Sequence, residues 1–214
     1  AKALQLQPEL AETRASRGLA LSLSEQFEEA EEEFEKAIRL NPRLFEAFYF
    51  YARTCFAQGK LERAAELFAR AARVNPEDVQ SPSLLGCTYA GLGWTEKAEA
   101  AYRLAVSRAR KRLELNPDDA RTLYLGAQSL LSLGETDQAV QWAEKSRALV
   151  PDDPYTLYGL ACFHAQLGNV DEAIDYLQEA VKNGFGHVRW IENDVDLKPL
   201  RNSPRYRTLL SSLA

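Results

Sequence analysis

Gly59-Lys60-Leu61-Glu62-Arg63-Ala64-Ala65-Glu66-Leu67-Phe68-Ala69-Arg70-Ala71-Ala72-Arg73-Val74-Asn75-Pro76 opens on a glycine, closes on a proline and reads between them as one amphipathic helix. Ala64, Phe68 and Ala71 stand at i, i+4 and i+7, one face of an α-helix. Small alanines let a second helix come close, and the bulky residue between them fills the gap. Gly59 suits the left-handed conformation that ends a preceding helix. Pro76 cannot continue a helix and pre-sets the turn after it.

The same pattern spreads outward in both directions. Pro8, Pro42, Pro76, Pro117 and Pro151 are separated by 34, 34, 41 and 34 residues. Taking each proline as position 32, position 20 is Ala30, Ala64, Ala98, Ala139 and Ala173, with the last unit numbered on from Pro151. Position 24 is Phe34, Phe68, Tyr102, Ala143 and Leu177, and position 27 is Ala37, Ala71, Ala105, Ser146 and Ala180. Glycine holds position 15 in four units (Gly59, Gly93, Gly134, Gly168), and Glu25 holds it in the first. Asn75-Pro76-Glu77-Asp78 and Asn116-Pro117-Asp118-Asp119 suit helix caps and place acid at the next helix's start. The spacing predicts helices over about 11–24 and 27–40, 44–58 and 61–74, 79–92 and 95–115, 118–133 and 136–149, and 153–167 and 170–183.

A fixed period of this length signals a stacked-repeat architecture, and 34 is the tetratricopeptide length. Across about 9–184 the chain resembles the tetratricopeptide repeat. The resemblance implies an all-α, right-handed superhelical solenoid of about five helix pairs closed by a C-terminal helical cap. The units run 9–42, 43–76, 77–117, 118–151 and 152–184, followed by a cap at 185–214. Residues 1–8 read as the tail of a preceding repeat, so the chain looks like a piece of a longer protein. In the first unit Arg14 and Arg17 stand where large apolar residues are usual.

The third unit is longer by seven residues, about two helical turns, which keeps an apolar stripe on its face to within about 20°. Ala98, Tyr102, Ala105, Ala109 and Leu113 continue the stripe. One helix over about 95–115 should protrude roughly 10 Å beyond its neighbours. Arg108, Arg110, Lys111 and Arg112 crowd its end; they either serve the helix terminus or mark a partner site. Beyond Gly184 the repeat stops. A short helix near 187–191 and a last helix near 204–212 are expected, with Trp190, Leu197, Leu200, Tyr206 and Leu210 folding back on the fifth unit. The segment from Trp190 to Arg201 is similar to the tail closing tetratricopeptide regions in bacterial multidomain signalling proteins, where the repeats follow a kinase, cyclase or TolB-like region. That likeness implies a bacterial regulatory or scaffolding region in the cytoplasm.

The chain carries 31 acidic and 26 basic residues, a net charge of −5 that disfavours a nucleic-acid backbone as partner. Glu28, Glu29, Glu31, Glu32, Glu33 and Glu35 read as the solvated face of a helix. No signal peptide or membrane span is visible. Cys55, Cys87 and Cys162 are odd in number, scattered and set in helices, which fits packed thiols in a reducing compartment. No pair of them has metal-ligand spacing. His164 and His187 lack a neighbouring Cys or Ser motif, and no glycine-rich phosphate loop occurs. Glu192-Asn193-Asp194-Val195-Asp196 lacks the glycine and distal glutamate of a calcium loop. The expectation is therefore no enzyme, no catalytic residue, no cofactor and no metal.

By the geometry of the resembled family, the first helix of each pair lines the concave side through positions 2, 5, 9 and 12. Glu46, Tyr49, Arg53 and Phe56, then Arg121, Tyr124 and Gln128, then Tyr155 and Tyr158 would form a partner-binding surface. Tyr and Arg offer large contact area with a polar tip. Tyr49, Tyr124 and Tyr158 recur at position 5, which leaves open that they cover the helix junctions. The matching positions for the family's chaperone-tail carboxylate clamp hold Ala15 and Leu19, so that clamp is absent. The expected partner is a protein or peptide, not nucleic acid or membrane. Self-association as a homo-oligomer, or intramolecular regulation of a larger signalling protein, is the alternative.

Overall fold

The computed structural model describes residues 10–213; the expected tail of a preceding repeat, 1–8, lies outside them. Ten helices form five antiparallel pairs. They are α1 (Ala11–Leu23) and α2 (Phe27–Leu40), α3 (Phe45–Ala57) and α4 (Leu61–Val74), α5 (Gln80–Gly91) and α6 (Thr95–Leu115), α7 (Ala120–Ser132) and α8 (Thr136–Leu149), and α9 (Pro154–Gln166) and α10 (Val170–Lys182). Each lies within two residues of its predicted span. The tail adds α11 (Val188–Asn193), a 3₁₀ turn at Lys198–Leu200 and α12 (Pro204–Leu213). The molecule is an all-α solenoid. No described helix is long and apolar enough to cross a membrane.

Each pair closes as the small-and-large pattern requires. Phe34, Phe68, Tyr102, Ala143 and Leu177 are all buried. In the first and third units the partner across the pair is a glycine of the first helix, Gly18 and Gly86, which the sequence reading did not single out. A Cβ added at Gly86 would meet the Tyr102 ring at 2.5 Å, and one at Gly18 would meet Phe34 at 2.7 Å. The turn inside each pair needs a residue with positive φ. Gly59 supplies it at 72°, whereas Glu25 is forced to 57°.

The first pair tolerates its arginines because they face an acid. Arg14 donates to Glu33 at 3.0 Å, with Lys36 at 3.1 Å and Arg17 at 3.9 Å from the same carboxylate. Burial alone would raise the Glu33 carboxyl, but Arg14 and Lys36 outweigh it and hold it below its usual range.

The long helix of the third unit spans 21 residues, with Ala98, Tyr102, Ala105 and Ala109 buried along its stripe. Its basic end is largely consumed by structure. Arg108 donates to the carbonyls of Ala72, Asn75 and Asp78, closing the C-terminus of α4. Arg110 reaches Glu135 and Gln138, and Arg112 reaches Asp119 at 2.6 Å.

The tail follows expectation and extends it. Ile191, Leu197, Leu200 and Tyr206 join Leu157, Ile174 and Leu177 in one core, with Leu210 packed at its edge. Trp190 packs at the edge of this core as expected and also reaches across the concave side onto Phe56 of the second unit, ring centroids 4.5 Å apart. The polar ends of the tail explain the course. Asn193 Nδ2 donates to the free carbonyl of Ala57 at the end of α3, and Asp194 finds Tyr158 on α9. The tail thus bridges the second and fifth units.

Candidate functional site

The crossing tail covers one part of the concave surface and walls the other. What stays open is a narrow cleft floored by α3, α5, α7 and α9 and walled by Phe185, Trp190 and Asp194. Its floor is a layer of phenols. Tyr49 donates to Gln80 Oε1 at 2.6 Å, and Arg121 donates to the same oxygen at 2.6 Å. Gln128 Nε2 donates to the Gly159 carbonyl at 3.1 Å. Tyr155 stands exposed at the mouth, 3.5 Å from His187.

Arg53 lies between two rings, 5.8 Å from the Tyr49 centroid and 5.3 Å from that of Trp190. Cation–π contact on both sides fixes the guanidinium plane. Among the described residues, no carboxylate pairs with Arg53 or Arg121, and no side chain or carbonyl accepts from Arg53.

The nine residues expected to bind therefore divide. Tyr49, Arg53, Arg121, Tyr124, Gln128, Tyr155 and Tyr158 all line the cleft. Tyr158 is closed over, stacked on Phe185 at 4.1 Å and donating to Asp194 at 2.7 Å. Phe56 is covered by Trp190, and Glu46 is exposed outside the cleft. Tyr49, Tyr124 and Tyr158 are each less than 10 % exposed, and the hydroxyls of Tyr49 and Tyr158 are already spent on Gln80 and Asp194. The tail walls were missed by a reading confined to the repeat period. The available signal was the cluster of aromatic rings, Phe185, His187 and Trp190, just beyond the last repeat.

Charge in the cleft follows from burial. Desolvation pushes the Tyr124 phenol up to about 12 despite the nearby Arg121. Burial, with Arg53 beside it, pushes His187 below its ordinary value and keeps the ring neutral at pH 7. Burial raises Asp194; burial and then the Asp194 charge raise Asp196 to about 7. Cys87, Asp194 and Asp196 bring donor atoms within 4.8 Å of one another. Asp194 already accepts from the Tyr158 hydroxyl and the Asp196 amide, so the cluster serves as the tail's hydrogen-bonded anchor.

The geometry offers little to covalent chemistry. Burial pushes Cys55 up to about 12 and raises Cys87 and Cys162 well above a free thiol, and protonated thiols are poor nucleophiles. His164 stacks on Tyr176 and pairs with Glu172, while His187 leans on Tyr155.

Comparison with known proteins agrees with this architecture. Tetratricopeptide-repeat profiles match residues 21–85 and 83–112, and a profile described as anaphase-promoting complex, cyclosome, subunit 3 matches 98–180. Among solved structures, TTC0263, a thermophilic TPR protein of Thermus thermophilus, superposes with a TM-score of 0.60 at 23% identity, covering 95% of this chain and 98% of that one. YrrB, described as a TPR protein with an unusual peptide-binding site, gives 0.51 at 20% identity over 89% of this chain and 95% of that one. A chain of the APC/C hetero-tetramer Cut9–Hcn1 gives 0.60 at 17% identity, with 99% of this chain covering 44% of that one. No curated protein sequence matches. The repeat period, the helix pairs and these profiles together establish that the chain belongs to the tetratricopeptide-repeat family.

Proposed function

We propose that this chain is a protein-interaction scaffold that holds a peptide in the open cleft of its concave face. The observation that carries the reading is the cleft itself. It has aromatic walls and a few converging polar groups, Arg53, Arg121 and Gln128. Tetratricopeptide families are generally non-catalytic scaffolds, and the raised thiols and packed histidines fit that class. YrrB's description as peptide-binding supports a peptide as the ligand here. The likeness of the tail to bacterial signalling proteins supports a regulatory setting in a larger cytoplasmic protein.

The tail is a wall of this site and not a removable plug. Ile191, Leu197 and Leu200 are fully buried, and exposing each would cost about 1.5–3 kcal/mol. The test is a pull-down from the source cells with two variants of matched helicity. One carries Arg53→Gln, Arg121→Gln, Gln128→Ala and Tyr155→Ser, all at side chains that are not buried; the other carries Arg110→Gln and Lys111→Gln on the outer face. A partner lost only by the first supports the cleft. Partners retained equally by all three proteins would refute it.

A further inference from the structure

We infer that the cleft reads an acidic side chain: its ligand is a peptide segment in which an aspartate or glutamate, flanked by apolar residues, meets Arg53 and Arg121. This inference rests on the cleft being the binding site. Several arginines elsewhere are neutralised within the protein. Arg63 holds Glu35 and Glu66, Arg103 holds Glu99, and Arg147 holds Glu179. Arg53 and Arg121 share one concave surface with no carboxylate within 4 Å among the described residues, only the more distant Asp153 acting on Arg121, and that is a deficit a ligand can fill.

Arg53 is the sharper of the two. Its guanidinium is half-buried, its plane is held by Tyr49 and Trp190, and none of its N–H donors has an acceptor among the described residues. A guanidinium fixed in this way loses little freedom on meeting a planar carboxylate, which it can grip through two parallel hydrogen bonds. Arg121 spends one nitrogen on Gln80, which fixes the side chain beside Tyr49. Next to these cations lie Tyr155, exposed, and Trp190, half-buried, surfaces for an apolar neighbour in the ligand.

The charge count selects a carboxylate over a phosphate. His187 is neutral and adds no third cation, and Asp194 lies in the same wall. A singly charged carboxylate per guanidinium is matched; a dianion crowded beside Asp194 is less so.

The test uses an array of random octapeptides with amidated C-termini, beside an arm of phosphotyrosine octapeptides. It is probed with the labelled wild-type protein, Arg53→Gln, Arg121→Gln and Arg53→Lys, each checked for an unchanged melting profile. The wild type should prefer peptides with Asp or Glu, losing at least tenfold when that residue becomes Asn or Gln. Arg53→Gln should cut the discrimination below threefold while apolar peptides are still held, and Arg53→Lys should restore it only in part. Binding without acid preference would overturn the carboxylate and leave the cleft standing. Preference for the phosphorylated arm, or discrimination unchanged in both glutamine variants, would also overturn it. Failure of every protein to hold any peptide would remove both readings.

Discussion

At the scale of single residues, two positions carry free energy that their neighbours do not reveal. Glu25 sits at φ 57°, a conformation that costs a non-glycine residue roughly 1–2 kcal/mol. Glu25→Gly should stabilise the protein by about 0.5–1 kcal/mol after the looser unfolded chain is counted. Loss of its exposed pair with Arg189, 3.6 Å away, matters little. Urea unfolding checks this: the midpoint should rise with an unchanged slope. The second position is Asp196, raised to about 7 from an unfolded value near 3.8. The folded state therefore binds more protons between pH 4 and 7, so stability falls as pH rises through that window and stays low above it. Around it the Cys87, Cys162, Tyr158 and Tyr102 groups are pushed up and stay neutral, Asp194 is the competing acid and Lys198 the opposing cation. Asp196→Asn should be more stable than wild type at pH 8 by about 2 kcal/mol and nearly equal to it at pH 4. Chemical denaturation at the two pH values decides it; equal differences at both would refute the coupling. Tyr49, Tyr124 and Tyr158 were legible because tyrosine recurs at position 5, and Arg53 and Arg121 because they stand at groove-facing positions of the repeat. Asp194 and Asp196 were not, because their partners lie on α5 and α9, and no periodicity links a tail to them.

At the scale of elements, the ten repeat helices were legible almost to the residue. Small-and-large alternation, glycine at the turn and proline at the exit all point to the same boundaries, and agreement of that kind leaves a helix little choice. The end of α6 shows where such reading stops. Four basic residues in five look like a surface patch, yet Arg108 is turned inward onto the carbonyl of Ala72 in the last turn of α4 and those of Asn75 and Asp78 in the turn after it. Burial pushes its guanidinium below its usual value, with Asp78 opposing. Arg108→Met keeps the stem but removes the donors, leaving those carbonyls partly dry. The expected cost is about 2 kcal/mol, seen as a lower thermal midpoint, with Lys in place of Arg recovering less than half. Lys111→Met, on the exposed face, should change stability by under about 0.5 kcal/mol. Similar losses at both positions would show that the helix end matters as a charge and not as a cap.

At the scale of the whole molecule, the tail changes what kind of solenoid this is. A stack in which each repeat touches only its neighbours can fray from either end, so its units separate on unfolding. Here Asn193 bonds Ala57 across 136 residues, and Asp194 lies 3.9 Å from Cys87 across 107. Val195 packs against Gly91 beside Leu61, and Trp190 covers Phe56. These contacts tie the second and third units to the fifth, so opening either part strips the tail from the other. The wild type should therefore unfold in one transition, with helicity and tryptophan fluorescence changing together. Trp190→Ala/Asn193→Ala/Val195→Ser cuts the cross-tie while Ile191, Leu197 and Leu200 still cap the fifth unit. In that variant the two signals should part, and amide exchange should quicken in α1 to α4 before α8 to α10. A single transition merely shifted to lower denaturant would show that neighbour contacts alone make the stack cooperative. The distinction bears on the cleft, because the same crossing tail that couples distant repeats also sets the distance between Trp190 and the floor on which Arg53 stands.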